Sequence, residues 1–168
     1  MIGYAMCGSF CTLKGAIPVM KSLASCGYEI QPIMSDNVYF TDTHFGKCED
    51  LKREVSELCE QNIIHTIVEA EPLGPKTPLE AMIICPCTGN TLAKLANGIT
   101  DTPVCMAAKA HLRSDRPLLI ALASNDAMSQ NLGNIGKMLS RKSVYFVPVR
   151  QDDPSGKPHS LIADFSLL

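Results

Sequence analysis

Short apolar runs alternate with segments of helical period along this chain, and the alternation predicts its elements. Residues 2–7 read as a first strand ending at Gly8-Ser9. Leu13, Ile17, Met20 and Leu23 then recur at three and four residues, the apolar stripe of an amphipathic helix. Pro18 is best accommodated in a first helical turn, so that helix is predicted to start near Gly15 or Ala16, with Gly27 closing it. Residues 29–34 read as a second strand, and 35–46 as a loop or short helix. Leu51, Val55, Leu58 and Asn62 mark a further helix, 63–68 a candidate strand, and 72–78 a proline-rich loop.

Residues 82–103, MIICPCTGNTLAKLANGITDTP, form the stretch on which the rest is organised. A strand over 81–85 stops near Pro86, turns through small polar residues and enters a helix. Residues 103–110 fit either strand or helix, 117–123 a strongly apolar strand, 128–139 an amphipathic helix and 144–149 a last strand. From Gln151 onward the chain is polar and turn-rich, a flexible or oligomer-contacting tail on one domain spanning 1–168. This alternation predicts an α/β fold, a parallel sheet with helices on both faces, because parallel strands need crossover connections.

Composition narrows the picture. Apolar residues make up 46% and charged residues 19%, an ordinary globular balance. A formal charge of −2 argues against nucleic acid or an anionic membrane as partner. No apolar run nears the roughly 20 residues of a membrane span, and no secretory leader is visible, so the expected location is cytoplasmic. Eight cysteines without a C-x-x-C pair suit buried free thiols better than disulfides or structural zinc, and no metal site is expected.

In an open parallel sheet, ligands sit beyond the carboxyl ends of the strands. Three polar turns fall there: Gly8-Ser9, Ser35-Asp36-Asn37, and residues 86–91. The dinucleotide fingerprint and the P-loop are both absent, which favours mononucleotide binding over a nicotinamide site. Ordinary strand-to-helix turns use the same residues, and periodicity alone leaves the two readings level.

The segment 85–101, CPCTGNTLAKLANGITD, resembles the PASANT signature of the flavoproteins that include phosphopantothenoylcysteine decarboxylase and lantibiotic cysteine decarboxylases. Residues 106–109 (MAAK) and 116–120 (RPLLI) are similar to the related flavin prenyltransferases. Segments 41–47 (TDTHFGK), 69–76 (EAEPLGPK) and 145–154 (YFVPVRQDDP) resemble the dipicolinate synthase B-subunit branch of that family. The resemblance covers essentially the whole chain. It implies a three-layer Rossmann-like (flavodoxin-like) fold, FMN as cofactor, and a homo-oligomer, trimeric or dodecameric. It also implies a role with the dipicolinate synthase A-subunit, which would carry NAD(P), in dehydrogenating a small dicarboxylate to dipicolinate for endospores.

Carried over by position, the resemblance implies that Gly8, Ser9, Phe10, Ser35 and Thr41 face the FMN phosphate and ribityl chain. Pro86, Thr88, Gly89, Asn90 and Thr91 would border the isoalloxazine or the substrate. Asn90 is the leading catalytic candidate, since its amide offers two donors and an acceptor. Thr88 either lines the pocket or caps the next helix, and Lys94 lies in solvent or reaches an acidic neighbour. Lys47, Lys76, Arg113 and Arg116 are candidates for the substrate carboxylates, the arginines across an interface between copies. The cysteine decarboxylases carry a histidine before the signature strand, whereas residues 71–76 here have none and His65 comes too early. His44 suits proton transfer by its ordinary pKa, and equally suits an exposed loop. The competing readings are an FMN-dependent decarboxylase or prenyltransferase, and a non-catalytic protein that only binds a ligand or partner.

Overall fold

The computed structural model describes residues 1–168. Its elements run β1 (Ile2–Met6), α1 (Phe10–Ser25), β2 (Ile30–Met34), α2 (Asp36–Phe40), α3 (Cys48–Cys59), α4 (Ile67–Ala70), β3 (Ala81–Cys87) and α5 (Gly89–Ala96). They continue with α6 (Pro103–Leu112), β4 (Leu118–Ser124), α7 (Leu132–Leu139), β5 (Val144–Phe146), β6 (Val149–Asp153) and β7 (Lys157–Ala163). The first five strands pair in parallel as β2-β1-β3-β4-β5. A crossover helix precedes each parallel return, and both faces of the sheet are covered.

Alternation along the strands divides two cores. Tyr4, Met6, Ile83 and Cys85 point to the face covered by α1 and α3, where Leu13, Ile17, Met20 and Val55 are buried. Ala5, Cys7, Met82, Ile84 and Ile120 point to the other face, against Leu92, Leu95, Val104, Ala107 and Met138 of α5, α6 and α7. Each fully buried aliphatic side chain there stabilises the fold by about 1.5–3 kcal/mol. The Tyr4 hydroxyl, inside the first core, donates to the Ala16 carbonyl at 2.8 Å and so fixes α1 on the sheet.

The three-layer arrangement is the one expected, and several elements differ from the periodicity reading. Helix α1 starts at Phe10, not near Gly15, and Pro18 lies in its interior. Pro18 and Lys14 are both exposed, so the carbonyl that Pro18 leaves without an amide donor faces water. Residues 63–68 make no strand: Ile64 forms only an isolated bridge to Ile33, and the chain then enters α4. A capping box wins there, with the Glu69 amide donating to Thr66 Oγ1 at 3.2 Å and the Thr66 amide to Glu69 Oε2 at 3.0 Å. Residues 103–110 are helical, since Thr102 caps Cys105 and Pro103 takes the first turn. Helix α7 begins only at Leu132, leaving Met128 in a turn. Gly27, at φ +88°, ends α1 as expected.

The stretch expected as a tail folds into an antiparallel hairpin, β6–β7. Its turn is held by Asp153 Oδ1, which accepts from the amides of Ser155 and Gly156 at 3.2 and 2.9 Å. The hairpin joins the sheet where Ile162 and Leu161 pair with Ala123 and Ser124, just past the rows of β4 taken by β5. The sheet is therefore mixed, with seven strands. No helix is long and apolar enough to cross a membrane.

His111, on α6, has no exposed surface, and its Nε2 lies 2.9 Å from the Pro117 carbonyl, to which it donates. Its Nδ1 is buried without a partner, and burial lowers its pKa below the ordinary 6.5. Because the unfolded chain protonates first, stability is lost as pH falls from about 6.5 toward the lower folded value. The melting temperature is expected to drop between pH 7.5 and pH 5.5, and His111→Gln to show a smaller drop. An equal drop in the variant would place the acid sensitivity elsewhere.

Candidate functional site

Strand order reverses at β1 and β3: the chain runs outward from β1 to β2, then returns to β3 on the opposite side of β1. The turns after β1 and β3 diverge there and leave a cleft at the carboxyl ends of the strands. The cleft measures about 500 Å³ and is lined by Gly8, Ser9, Phe10, Thr88, Gly89, Asn90, Ser124, Asp126, Lys157 and Ser160, among others. Its walls come from the ends of β1, β3 and β4, and hairpin β6–β7 closes one side.

Asn90 stands in the first turn of α5, exposed, and its carboxamide makes no hydrogen bond within the chain. Thr88 caps that helix, accepting from the Thr91 amide at 3.2 Å, so its hydroxyl serves the helix first. Thr91 is buried, and its hydroxyl lies 3.3 Å from Cys7 Sγ beneath the cleft. Pro86, preceded by a cis peptide bond, lies inside β3, which runs on to Cys87, and its carbonyl accepts from the Cys7 amide at 3.1 Å. Burial pushes the Cys7 and Cys85 thiols up to about 12 and raises Cys87 well above the ordinary value, which makes them poor nucleophiles. Cys105 is also buried, but Cys11 and Cys26 are exposed, against the expectation of buried thiols.

Gly8, Ser9 and Phe10 line the cleft. Ser35 lies outside its lining at the end of β2, where its amide donates to the Met6 carbonyl at 3.0 Å. Its Oγ is buried and has no partner. Asn37, two residues on, lies against Gly8: a Cβ on Gly8 would stand 3.2 Å from that of Asn37. Thr41 is exposed and apart from the cleft. His44 is exposed with its ring 3.9 Å from that of Phe45, and only Phe45 reaches the cleft. His65 stacks on Tyr39 at 3.9 Å and is not in the lining of the cleft.

The basic candidates do not converge on Asn90 within one chain. Arg116 donates to the Leu79 carbonyl at 2.7 Å, and Lys76 precedes β3, both at the amino ends of the strands. Arg113 ends α6 on that same side, and Lys47 borders an adjoining groove beside α1 that shares Phe10 and Phe45 with the cleft. Lys94 does not lie free in solvent: it pairs with Asp101 at 2.7 Å and is only 21% exposed. No group of three or more His, Cys, Asp or Glu side chains is placed to hold a metal ion.

Sequence reasoning missed the turn after β4. Asp126 Oδ1 accepts from Asn131 Nδ2 at 2.9 Å and from Ser124 Oγ, and these bonds hold its carboxyl below the usual carboxylate range. Asn131 Oδ1 in turn accepts from Asn134 Nδ2 at 2.9 Å. This network packs directly against Gly89. The signal was present, since the polar run Ser124-Asn125-Asp126 follows the most apolar strand of the chain. Lys157, paired with Asp152 at 2.9 Å, is the cation in the lining, brought in by a hairpin that periodicity did not reveal.

Residues 1–161 match the family model described as Flavoprotein. The chain belongs to the flavoprotein family. Within it, the chain is 42% identical to the dipicolinate synthase B-subunit of Bacillus subtilis, over 99% of this chain and 84% of that one. It superposes on the crystal structure of the dipicolinate synthase B-subunit from Bacillus halodurans with a TM-score of 0.90 and 40% identity, covering 99% and 86% of the two chains. A flavin prenyltransferase of Saccharolobus solfataricus is 30% identical, over 84% of this chain and 70% of its own. A flavin phosphate and its ribityl chain need polar partners that the chain itself leaves free. In the cleft the Asn90 carboxamide is without a partner in the chain, and the buried hydroxyl of Ser35, outside the lining, lacks one as well.

Gly89 tests the packing of the site. A Cβ there would stand 2.6 Å from Asn131 Nδ2 and 2.8 Å from Asp126 Oδ1. Gly89→Ala is expected to destabilise the protein by about 1–3 kcal/mol in urea unfolding, because well-packed surroundings must shift. Unchanged unfolding would show that the turn after β4 yields freely.

Proposed function

We propose that this chain is the B-subunit of a dipicolinate synthase and holds FMN in the cleft beyond β1 and β3. The near full-length 42% identity to the Bacillus subtilis protein carries this reading. The change assigned removes two hydrogens from a reduced-ring dicarboxylate and leaves pyridine-2,6-dicarboxylate. Bound FMN supplies a two-electron acceptor.

The chain's own residues bind and orient. Gly8 and Ser9 hold the phosphate and ribityl oxygens; Ser35, outside the lining with its hydroxyl buried, would join them only if the turn after β2 opened toward the cofactor. Phe10 gives the cofactor an apolar wall, while Pro86, buried inside β3 and outside the lining, fixes the end of that strand beneath the cleft. Asn90 orients a substrate carboxylate or ring edge through its free carboxamide. Thr88, Gly89 and Thr91 keep Asn90 in place through the helix cap and the packing below it. No histidine lines the cleft, which sets it apart from the histidine-dependent decarboxylation of the wider family. The A-subunit brings NAD(P), and assembly with it and with further copies of this chain, as a trimer or dodecamer, belongs to the same reading. His44 and Thr41 would take part only if such an assembly brought them to the cleft.

Purified protein is expected to be yellow, with flavin absorption released on denaturation. Dipicolinate, followed by its ultraviolet absorption, is expected only on mixing with the A-subunit. Asn90→Ala removes a hydrogen bond to a charged group, worth about 1.5–3 kcal/mol, so the mixed rate should fall on the order of ten- to hundredfold. A colourless preparation that takes up no added FMN sinks the flavin assignment. Equal activity of the A-subunit alone would reduce this chain to a non-catalytic role.

A further inference from the structure

Asp126 lines the cleft against Gly89, the residue before Asn90, and its two oxygens are not equivalent. Oδ1 accepts from both Ser124 Oγ and Asn131 Nδ2, while Oδ2 accepts from no other residue. Oδ2 is not among the buried unpartnered atoms, so it keeps an open face, and the residue opens onto the cleft. The carboxylate cannot turn away without breaking two bonds and displacing the packing against Gly89. Asp152, the other carboxylate in the lining, is paired with Lys157. The cleft thus presents one fixed, negatively charged acceptor with no cation on it.

An acceptor held in this way selects for a donor. We propose that Asp126 is the specificity-determining residue of the cleft, whose Oδ2 admits ring dicarboxylates bearing an N–H or O–H and disfavours the fully aromatic pyridine. The inference rests on the dicarboxylate reading above. A dihydropyridine ring with an N–H, which loses two hydrogens, or a hydroxylated ring, which loses water as well as two hydrogens, places a donor against Oδ2. Pyridine-2,6-dicarboxylate has only acceptors, its ring nitrogen lone pair and its carboxylates, and each would repel the electron pairs of Oδ2. Sites built around a hydrogen bond reject ligands that cover the polar group from water and leave it unpaired. Here the same contact separates substrate from product, so aromatisation itself weakens binding and frees the cleft.

Calorimetric titration of the FMN-loaded protein tests this without turnover. The ligands are pyridine-2,6-dicarboxylate, piperidine-2,6-dicarboxylate, and 4-oxo-1,4-dihydropyridine-2,6-dicarboxylate, a planar ring that retains an N–H. Both N–H ligands are expected to bind about tenfold or more tightly than the pyridine. In Asp126→Asn the amide oxygen keeps Ser124 and Asn131 while the amide nitrogen offers a donor, so the preference should shrink or reverse. A general loss of structure would weaken all three ligands alike. Equal binding of the three by the unaltered protein, or an unchanged preference in a folded Asp126→Asn, overturns the role of Asp126 and leaves the dicarboxylate reading standing. The comparison on the unaltered protein decides the matter if the variant does not fold. Failure of all three to bind, with or without the A-subunit, removes the dicarboxylate reading and the inference with it.

Discussion

The pairing of β3 against β1 is the contact on which the molecule depends. It places β3 on the side of β1 opposite β2, so the connections leaving the two strands pass to opposite faces of the sheet. The space left between their carboxyl ends is filled by neither chain segment. The backbone extends the pairing one step beyond the ladder, where the Cys7 amide donates to the Pro86 carbonyl. The turn bearing Gly8 and Ser9 is therefore held beside the turn bearing Thr88 to Asn90. Burial on both faces makes this arrangement hard to change, because a one-residue slip would exchange the residues of the two cores.

Rigidity at the site comes from below. Asn90 owes its position to the Thr88 cap and to Gly89, which rests on Ser124, Asp126 and Asn131. That support continues between α5 and α7 through Asn134, whose Oδ1 lies 3.4 Å from Asn97 Nδ2, while Lys137 reaches Asn97 Oδ1 at 2.9 Å. Polar groups between two packed helices are tolerable because each has a partner. The thiols beneath the cleft add no reactivity, since burial keeps them protonated. What remains free to meet a ligand is small: one carboxamide, one carboxylate oxygen, and the Gly8-Ser9 turn after the first strand.

Strands buried on both faces announce themselves as continuous apolar runs, so β1, β2, β3 and β4 were legible, and with them the layered fold; β5, with Tyr145 exposed, was read three residues too long. Asn90, Gly8 and Ser9 were legible as well, because they follow those runs at once. Boundaries failed where a local device outweighed periodicity: the Thr66–Glu69 capping box replaced a strand, and Pro18 sat on a solvent-facing row that α1 could spare. Hairpin β6–β7 was missed because five exposed residues in β6 carry no apolar alternation. Asp126 and Lys157 were missed with the turn and the hairpin that deliver them.

Taken alone, the sequence determined which segments are buried, where the polar turns interrupt them, and to which family the chain is similar. These are local properties: burial follows from runs of apolar side chains, and turns from the residues that end them. Only the tertiary structure decided which turns meet. Sequence spacing does not say that Ser124 and Asp126 stand under Gly89, that Lys76 and Arg116 lie at the far end of the sheet, or that Ser35 is left without a partner. Those facts follow from strand order and register, which arise from the packing of the whole chain.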